Sequence, residues 1–272
     1  MKNLRNFVAI ILTHGRPDNV RTIKTLKACG FSGQIVLAVD DEDKTLGEYQ
    51  KTYGDMVHVF NKQKIGEQFD KGENFGSQKT IIYARNAAFE IAEKIGCEYF
   101  MQLDDDYTSF QWRFNSETYL VNTPRIKSFD MVIDAMIKFY ESLPNCLSFA
   151  MMQGGDFIGG KHSANAKIRK LKRKCMNSFL CSTKRKFTFV GHFNEDVNTY
   201  TTLATRGYLF FSTNQIALGQ LATQSNKGGI TDFYKKFGTY MKSFQSIVFN
   251  PSSVSLTTIG NSKETQRIHH RV

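Results

Sequence analysis

The sequence predicts an α/β fold in which a mixed, mostly parallel sheet is flanked by helices. Over the first half of the chain, short apolar runs typical of buried strands alternate with helical stretches bounded by glycine or proline. The chain has 272 residues and is 41% hydrophobic, which is enough for a proper core. Since it shows neither an internal repeat nor a low-complexity linker, a single domain spanning residues 1–272 is the most economical interpretation.

Four strands and two helices are predicted in the first part of the chain. The strands are the apolar runs at residues 7–13, 34–39, 56–60 and 98–103. Helices are expected over 17–29 and 81–95, because a proline opens the first and a glycine follows each. The polar stretch 61–79 is expected to be a loop. Strands that alternate with helices in this way imply right-handed crossovers between parallel strands.

The second half of the chain predicts a less regular order of elements. An amphipathic helix over 125–143 is expected to end at Pro144. Further strands are predicted at residues 146–152, 187–190, 207–211, 243–249 and 253–259. Asn194 is expected to cap a helix whose first turn contains Glu195 and Asp196, because short polar side chains and acids favour helix N-termini.

Positive charge is concentrated in one segment of the chain. The net charge is +11, and residues 161–186 contain ten lysines and arginines without a single acid. Such a segment favours a polyanion, bound with strong salt dependence. The alternatives are a solvated basic face without a partner or, less favoured because no apolar face is present, an anionic membrane surface. The candidate DNA contacts are Lys170, Lys172, Arg173, Lys174, Lys184 and Arg185.

Cysteine usage and hydropathy predict a cytoplasmic protein that does not enter a membrane. The five cysteines are odd in number, scattered and free of any CxxC motif, which favours reduced thiols. No apolar run approaches the roughly 20 residues that a membrane-spanning helix needs. The apolar run after Lys2 and Arg5 is too short for a signal peptide, and we expect it to be the first strand.

An acidic triplet, Asp104, Asp105 and Asp106, follows the fourth predicted strand directly. The carboxyl ends of parallel strands meet at one edge of a sheet, and open α/β sheets bind their ligands at that edge. Carboxylates gathered there suit Mg²⁺ or Mn²⁺, and such an ion suits the diphosphate of a nucleotide-linked substrate. The alternative is a solvent-exposed acidic turn without a ligand.

Five short motifs stand in a characteristic order along the chain. They are IILTHGRP at 10–17, ARN at 84–86, LDDD at 103–106, NEDVNT at 194–199 and RIHH at 267–270. The order and spacing of the first four resemble a GT-A glycosyltransferase. More narrowly, IILTHGRP, NEDVNT and RIHH resemble the TET/JBP-associated glycosyltransferases of tailed phages. The resemblance implies metal-dependent transfer of a sugar from a nucleotide sugar, by default a UDP-sugar. The implied acceptor is 5-hydroxymethylcytosine or 5-hydroxymethyluracil in phage DNA, in the cytoplasm of an infected host cell.

The resemblance also implies a division of labour along the chain. Residues 1–110 would form the nucleotide-sugar-binding half, and residues 111–272 the acceptor half with a basic insertion at 161–186. The implied donor contacts are Thr13, His14, Arg16, Asp40, Arg85, Asp104 and Asp105. The implied ligands of Mn²⁺ or Mg²⁺ are Asp104, Asp106 and one of His269 and His270.

Catalysis by an inverting enzyme of this kind needs a carboxylate that takes the proton of the acceptor hydroxyl. The resemblance points to Asp196 first and to Glu195 second for this role. The alternatives for both acids are an ordinary acidic helix N-terminus or, in a retaining enzyme, binding of the acceptor or donor. Asn86 is expected to support the acidic triplet.

Other functions remain compatible with these residues. The same enzyme class acting on a glycan, lipid or protein would leave the basic segment incidental. A non-catalytic DNA-binding protein would retain the fold without the reaction. A nucleotidyltransferase would use a similar acidic site, although the first turn lacks a glycine-rich loop for a triphosphate. The donor sugar, its base, the stereochemistry and the oligomeric state stay open.

Overall fold

A mixed sheet runs through the centre of the computed structural model. The structure describes residues 3–73, 80–113, 125–153, 175–221, 240–259 and 267–272. Within them, the sheet consists of β1 (Phe7–Leu12), β2 (Gln34–Asp40), β3 (Val57–Phe60), β4 (Tyr99–Asp104), β5 (Tyr107–Trp112), β6 (Cys146–Gln153), β7 (Phe179–Ser182) and β8 (Leu209–Gln220). A separate antiparallel hairpin is formed by β9 (Ser255–Ile259) and β10 (Arg267–Arg271).

Helices cover both faces of this sheet. They are α1 (Arg21–Ala28), α2 (Leu46–Tyr53), α3 (Lys62–Gly66), α4 (Ile82–Ile95), α5 (Phe129–Glu141), α6 (Glu195–Ala204) and α7 (Tyr240–Phe249). Short 3₁₀ turns are formed by Asn3–Asn6, Pro17–Asn19 and Gly54–Met56. None of the helices in the described part of the chain has the length and apolar composition needed to cross a bilayer.

The strand order is β3-β2-β1-β4-β7-β6-β8-β5. The first four strands in this order are mutually parallel, and β6 is parallel to β8, whereas β7 and β5 run antiparallel to their neighbours. Leu12 lies opposite both Ala38 of β2 and Asp104 of β4. The carboxyl ends of β1, β2 and β4 therefore meet at one edge, and the predicted α/β fold with a sheet flanked by helices is confirmed.

Two apolar cores explain why the strands of this sheet are continuous apolar runs. In β1, alternate residues enter opposite cores: Phe7, Ala9 and Ile11 pack with α1, α2 and α5, whereas the residues between them pack with α4 and α6. Strands buried on both faces lose the polar alternation of a half-exposed strand. This burial holds the carboxyl edge of the sheet between two helical layers.

The connection between β4 and β5 shows that the sheet is curled. Asp105 and Asp106 alone join the two strands, and from Asp104 to Tyr107 the chain spans at most about 11 Å. In the sheet order, β5 stands four strands away from β4, which would be about 19 Å in a flat sheet. The β5 edge must therefore curl back towards β4, and the acidic triplet lies at this bend.

Two predicted strands are wrong. Residues 243–249 belong to the helix α7, and residues 187–190 have no strand structure. In the latter segment, the side-chain amide of Asn86 bonds both the N–H and the C=O of Phe189, so one side chain substitutes for a neighbouring strand. Asn86 thus supports this segment and not the acidic triplet. Sequence analysis also missed the strands β5, β7 and β10, the helix α2, and α3 within the predicted loop 61–79.

Candidate active site

The acidic triplet is fixed from two sides by the beginning of the chain. Thr22 of α1 donates from its Oγ1 to the carbonyl of Asp104 over 2.6 Å and from its N–H to the carbonyl of Asp105 over 3.2 Å. The Asp105 side chain, 2% exposed, accepts a 2.7 Å hydrogen bond from Thr13 Oγ1 and lies 3.3 Å from the Arg16 guanidinium. Asp105 therefore joins the end of β1 to the triplet.

The other two acids of the triplet lie in a desolvated, negatively charged environment. Burial raises the pKa of Asp104, against the lowering effect of Arg85. Burial and the charges of Asp104 and Asp105 raise the pKa of Asp106 to about 6. Asp104 Oδ1 is buried without a hydrogen-bond partner in the described part of the chain. A bound cation would relieve both the desolvation and the repulsion between these carboxylates.

Arg85 connects the triplet to the NED motif. Its guanidinium, in a side chain only 3% exposed, donates to Glu195 Oε1 over 2.9 Å and lies 3.6 Å from Asp104 Oδ1. The same group stacks on the ring of Phe179, 4.7 Å from the ring centre. Three segments that are far apart in sequence, α4, β4 and α6, are thereby held in one charged cluster.

The two acids at the start of α6 differ in their partners. Glu195 is held by Arg85, as described above. Burial and the neighbouring charge of Glu195 raise the pKa of Asp196 to about 6, whereas the ammonium group of Lys242 acts in the opposite direction. Asn194 occupies the predicted cap position, but its side chain bonds α7 and not its own helix.

The end of β2 carries a second polar cluster. His14 Nδ1 lies 2.7 Å from Asp40 Oδ2, and Asp43 accepts a 2.7 Å hydrogen bond from the N–H of Gly15. Burial opposes ionisation of Asp40, but the hydrogen bond and charge of His14, helped by Lys62, outweigh it and lower the pKa of Asp40. An ionised acceptor is thus held at the carboxyl end of β2.

A pocket of about 330 Å³ lies between the polar cluster at the end of β2 and the start of α6, whereas Arg85 and the acidic triplet are not among the residues that line it. Its wall contains predicted donor contacts and both predicted catalytic acids, namely Thr13, His14, Arg16, Asp40, Glu195 and Asp196. It also contains five polar residues that sequence analysis missed, namely Lys62, Thr80, Tyr83, His192 and Lys242. Lys62 and His192 could have been predicted, because Lys62 follows the end of the third strand and His192 precedes the NED motif. Nothing in the sequence distinguishes Lys242 as a site residue.

The remaining predicted residues lie elsewhere. Ser182 pairs with Tyr99, so Lys184 and Arg185 lie towards the amino end of β4, away from the triplet. Lys184 pairs with Glu98, and Arg185 donates to three carbonyls at and just beyond the end of α5. Four other predicted DNA contacts lie outside the described residues: Lys170, Lys172, Arg173 and Lys174.

The predicted C-terminal metal ligands lie on the small hairpin. The backbones of His269 and His270 belong to β10 and pair with Thr257 and Leu256 of β9, but their side chains lie outside what the structure describes. Across the described ranges, no three His, Cys, Asp or Glu side chains converge on one metal position. Mg²⁺ is commonly held by only one or two carboxylates plus substrate phosphates.

Comparison with solved structures finds distant similarity. The chain is similar to S. aureus TarS (13% identity, TM-score 0.45, covering 85% of this chain and 38% of that one). It is also similar to the mannosyltransferase PcManGT from Pyrobaculum calidifontis, solved with GDP-Man and Mn²⁺ (13% identity, TM-score 0.47, covering 81% of this chain and 58% of that one). A third similar structure is glucosyl-3-phosphoglycerate synthase from Mycobacterium tuberculosis, solved with Mg²⁺ and UDP (8% identity, TM-score 0.47, covering 97% of this chain and 86% of that one). The chain thus spans less than two thirds of the first two proteins.

Comparison of the sequence itself is more informative. No curated protein matches the chain. A family model described as TET-Associated Glycosyltransferase matches residues 7–229, which is more than four fifths of the chain. The matched range contains the whole central sheet, the acidic triplet, Arg85 and both acids of α6. The resemblance found in the motifs is therefore confirmed, and the chain belongs to the TET-associated glycosyltransferase family.

Proposed function

We propose that this glycosyltransferase transfers a sugar from a nucleotide sugar, by default a UDP-sugar, to a 5-hydroxymethylpyrimidine in DNA with the help of Mn²⁺ or Mg²⁺. The observation that carries the proposal is the arrangement around Arg85. It joins the acidic triplet to Glu195, while one pocket joins Asp40 and Arg16 to Asp196. The proposed base therefore shares one cavity with the donor contacts at the ends of β1 and β2, and Arg85 ties the acidic triplet to the acid next to that base.

The donor fits the residues at the ends of β1 and β2. Ionised Asp40 accepts a hydrogen bond from a base N–H, such as N3–H of uracil, and Arg16 supplies positive charge for the diphosphate. Asp104 and Asp106 would hold the divalent ion together with phosphate oxygens. Asp104 Oδ1, which has the Arg85 ion pair but no hydrogen bond among the described residues, and the raised pKa of Asp106 fit a hard cation. Such an ion, when bound, neutralises the negative charge of the leaving diphosphate.

The chemistry we propose centres on Asp196. Its carboxylate takes the proton of the acceptor hydroxyl, whose oxygen bonds to the anomeric carbon as the bond from that carbon to the diphosphate breaks. Glu195 is the weaker candidate because its carboxylate is engaged by the buried guanidinium of Arg85. General-base assistance of this kind typically contributes about 10²–10⁴-fold to the rate.

The acceptor is supported by the family and by charge. The chain belongs to the TET-associated glycosyltransferases, for which the motif resemblance implies hydroxymethylated DNA as the acceptor, and its net charge of +11 favours a polyanionic partner. A glycan, lipid or protein acceptor is the alternative, favoured by the ion pairs that engage Lys184 and Arg185. Salt-sensitive binding to DNA separates the two proposals.

The proposal is tested by incubating the protein with DNA that contains 5-hydroxymethylcytosine or 5-hydroxymethyluracil, Mn²⁺ and a panel of nucleotide sugars. After digestion, mass spectrometry of the nucleosides should reveal a glycosylated hydroxymethylpyrimidine. Unmodified DNA and a reaction with excess EDTA are the controls, and both should give no product. Equal sugar transfer in the presence of EDTA would contradict the proposed metal dependence. Transfer only to an acceptor other than DNA would contradict the proposed acceptor.

Asp106→Asn should weaken the binding of UDP in the presence of Mn²⁺ by about 100-fold. Changes in outer-shell partners of a metal already cost 10–100-fold in affinity, and we propose Asp106 as a direct ligand. Isothermal titration of UDP with and without Mn²⁺ measures the effect. Asp55→Asn is the matched control, because Asp55 is an exposed acid that precedes β3 and so lies at the amino end of that strand, away from the carboxyl edge of the sheet. Equal Mn²⁺-dependent affinities for the two variants would remove Asp106 from the metal site.

A further inference from the structure

Helix α7 turns its polar side inwards. Ser243, Gln245 and Ser246 are buried, with Gln245 6% exposed, whereas Phe244 and Val248 are 44% and 58% exposed. An ordinary surface helix buries its apolar stripe and exposes its polar one. Because buried polar groups need hydrogen-bond partners, this inversion indicates that α7 packs against polar backbone.

The partners of α7 are the residues that lead into the catalytic acids. Gln245 Oε1 accepts a 2.7 Å hydrogen bond from the N–H of Phe193. The next residue, Asn194, donates from its side-chain amide to the carbonyl of Lys242 over 2.9 Å and to Ser246 Oγ over 3.0 Å. Two consecutive residues before Glu195 are thus bonded to α7.

Gln245 also bonds a third segment. Its Nε2 donates to the carbonyl of Lys71 over 3.3 Å, and the same carbonyl accepts from the N–H of His192 over 3.0 Å. The contact around it is tight: a Cβ on Gly191 would come within 3.0 Å of Gln245 Oε1 and 2.8 Å of the Phe249 ring. One buried amide therefore ties together α7, the segment entering α6 and the backbone at Lys71.

The backbone entering α6 needs this support. Asn194 has a φ of +53°, in the left-handed region, which is unfavourable for residues with a side chain although asparagine tolerates it better than most. Such a conformation persists only where surrounding contacts determine it. Phe193 and Asn194 immediately precede the turn that carries Glu195 and Asp196, so the direction of that turn depends on the bonds from α7.

We propose that Gln245 is a positioning residue for sugar transfer: by holding the N–H of Phe193, it sets where α6 begins and hence where Asp196 stands in the pocket. The proposal rests on the proposed role of Asp196 as the base. It assigns part of the active site to α7, which follows the range 7–229 that matches the family model. Lys242, one turn earlier on the same helix, lines the pocket directly.

The test compares Gln245→Met, which removes both hydrogen bonds, with Gln245→Glu, which keeps an acceptor for Phe193. Val248→Ala, on the exposed side of the same helix, is the matched control. Gln245→Met should lower kcat by at least about tenfold, since misplacing a catalytic group costs up to about 10²-fold. The affinity for UDP with Mn²⁺ should stay near that of the control, and Gln245→Glu should recover part of the lost kcat.

Hydrogen exchange supplies a readout that needs no acceptor. In Gln245→Met, amides of the segment 191–196 should exchange faster than in Val248→Ala. Unchanged exchange, or a kcat equal to that of the control, would overturn the proposal, and so would parallel loss of UDP binding and kcat in both Gln245 variants. If the wild-type protein modifies no DNA, the proposed acceptor fails. The variants are then compared in metal-dependent hydrolysis of the nucleotide sugar.

Discussion

Asp196→Asn is expected to lower kcat for sugar transfer by about 10²–10⁴-fold. The amide keeps the shape of the side chain but cannot take the proton of the acceptor hydroxyl. Because the proposed donor contacts at Thr13, Arg16 and Asp40 are untouched, KM for the nucleotide sugar should change little. Steady-state kinetics at saturating Mn²⁺, with hydroxymethylated DNA as acceptor, measure both constants.

The pH profile gives the same prediction a second test. A general base works when deprotonated, and burial with the neighbouring charge of Glu195 raises the pKa of Asp196 to about 6. In the wild type, kcat should therefore rise with pH through about 6 and level off above it. Glu195→Gln removes the repelling charge and should move this rise to lower pH. A variant Asp196→Asn with wild-type kcat would exclude Asp196 as the base.

Arg85→Met is expected to lower the free energy of unfolding by about 3–5 kcal/mol, because it leaves charges buried without their partner. Arg85 is 2% exposed and neutralises Glu195 and Asp104, and methionine still fills the space over Phe179. Urea unfolding followed by circular dichroism measures the loss. A loss of this size corresponds to a fall in melting temperature of roughly 6–20 °C in a domain of this length.

Two further variants separate charge from packing. Arg85→Met combined with Glu195→Gln should recover part of the lost stability, because it removes one of the uncompensated carboxylates. Arg85→Lys keeps the charge but loses the planar fork and the stacking on Phe179, so we expect it to lie between wild type and Arg85→Met. If Arg85→Met costs less than about 1 kcal/mol, the ion pairs resemble solvated surface pairs and the cluster is less isolated from water than described.

The carboxyl edge of the sheet was predictable because of how it is buried. β1, β2 and β4 are covered on both faces, and such strands are unbroken apolar runs in the sequence. The polar residues that end these runs, Thr13, Asp40 and Asp104, must then lie at one edge once the strands are parallel. For these residues, local pattern and tertiary placement agree.

The other wall of the pocket was not predictable for equally physical reasons. A strand is predicted for residues 243–249 because hydrophobic patterns are interpreted on the assumption that apolar side chains face the interior. In α7, serine and glutamine are buried instead. Phe187 to Val190 resembles a strand, but its hydrogen bonds come from the side chains of Asn86 and Thr199. Hydrogen bonds from distant side chains depend on the tertiary structure, so the local hydrophobic periodicity of a segment does not predict them.

The two-residue link between β4 and β5 bears on how the site is made during synthesis. In the described sheet, β5 pairs with β8, which the ribosome completes only at Gln220. Before that point, Asp104, Asp105 and Asp106 have already been synthesised, but the strand that follows them, β5, still lacks its partner β8. The acidic turn is thus synthesised early and completed late. An isolated fragment ending near residue 110 would carry the triplet without the β-pairing that fixes its bend.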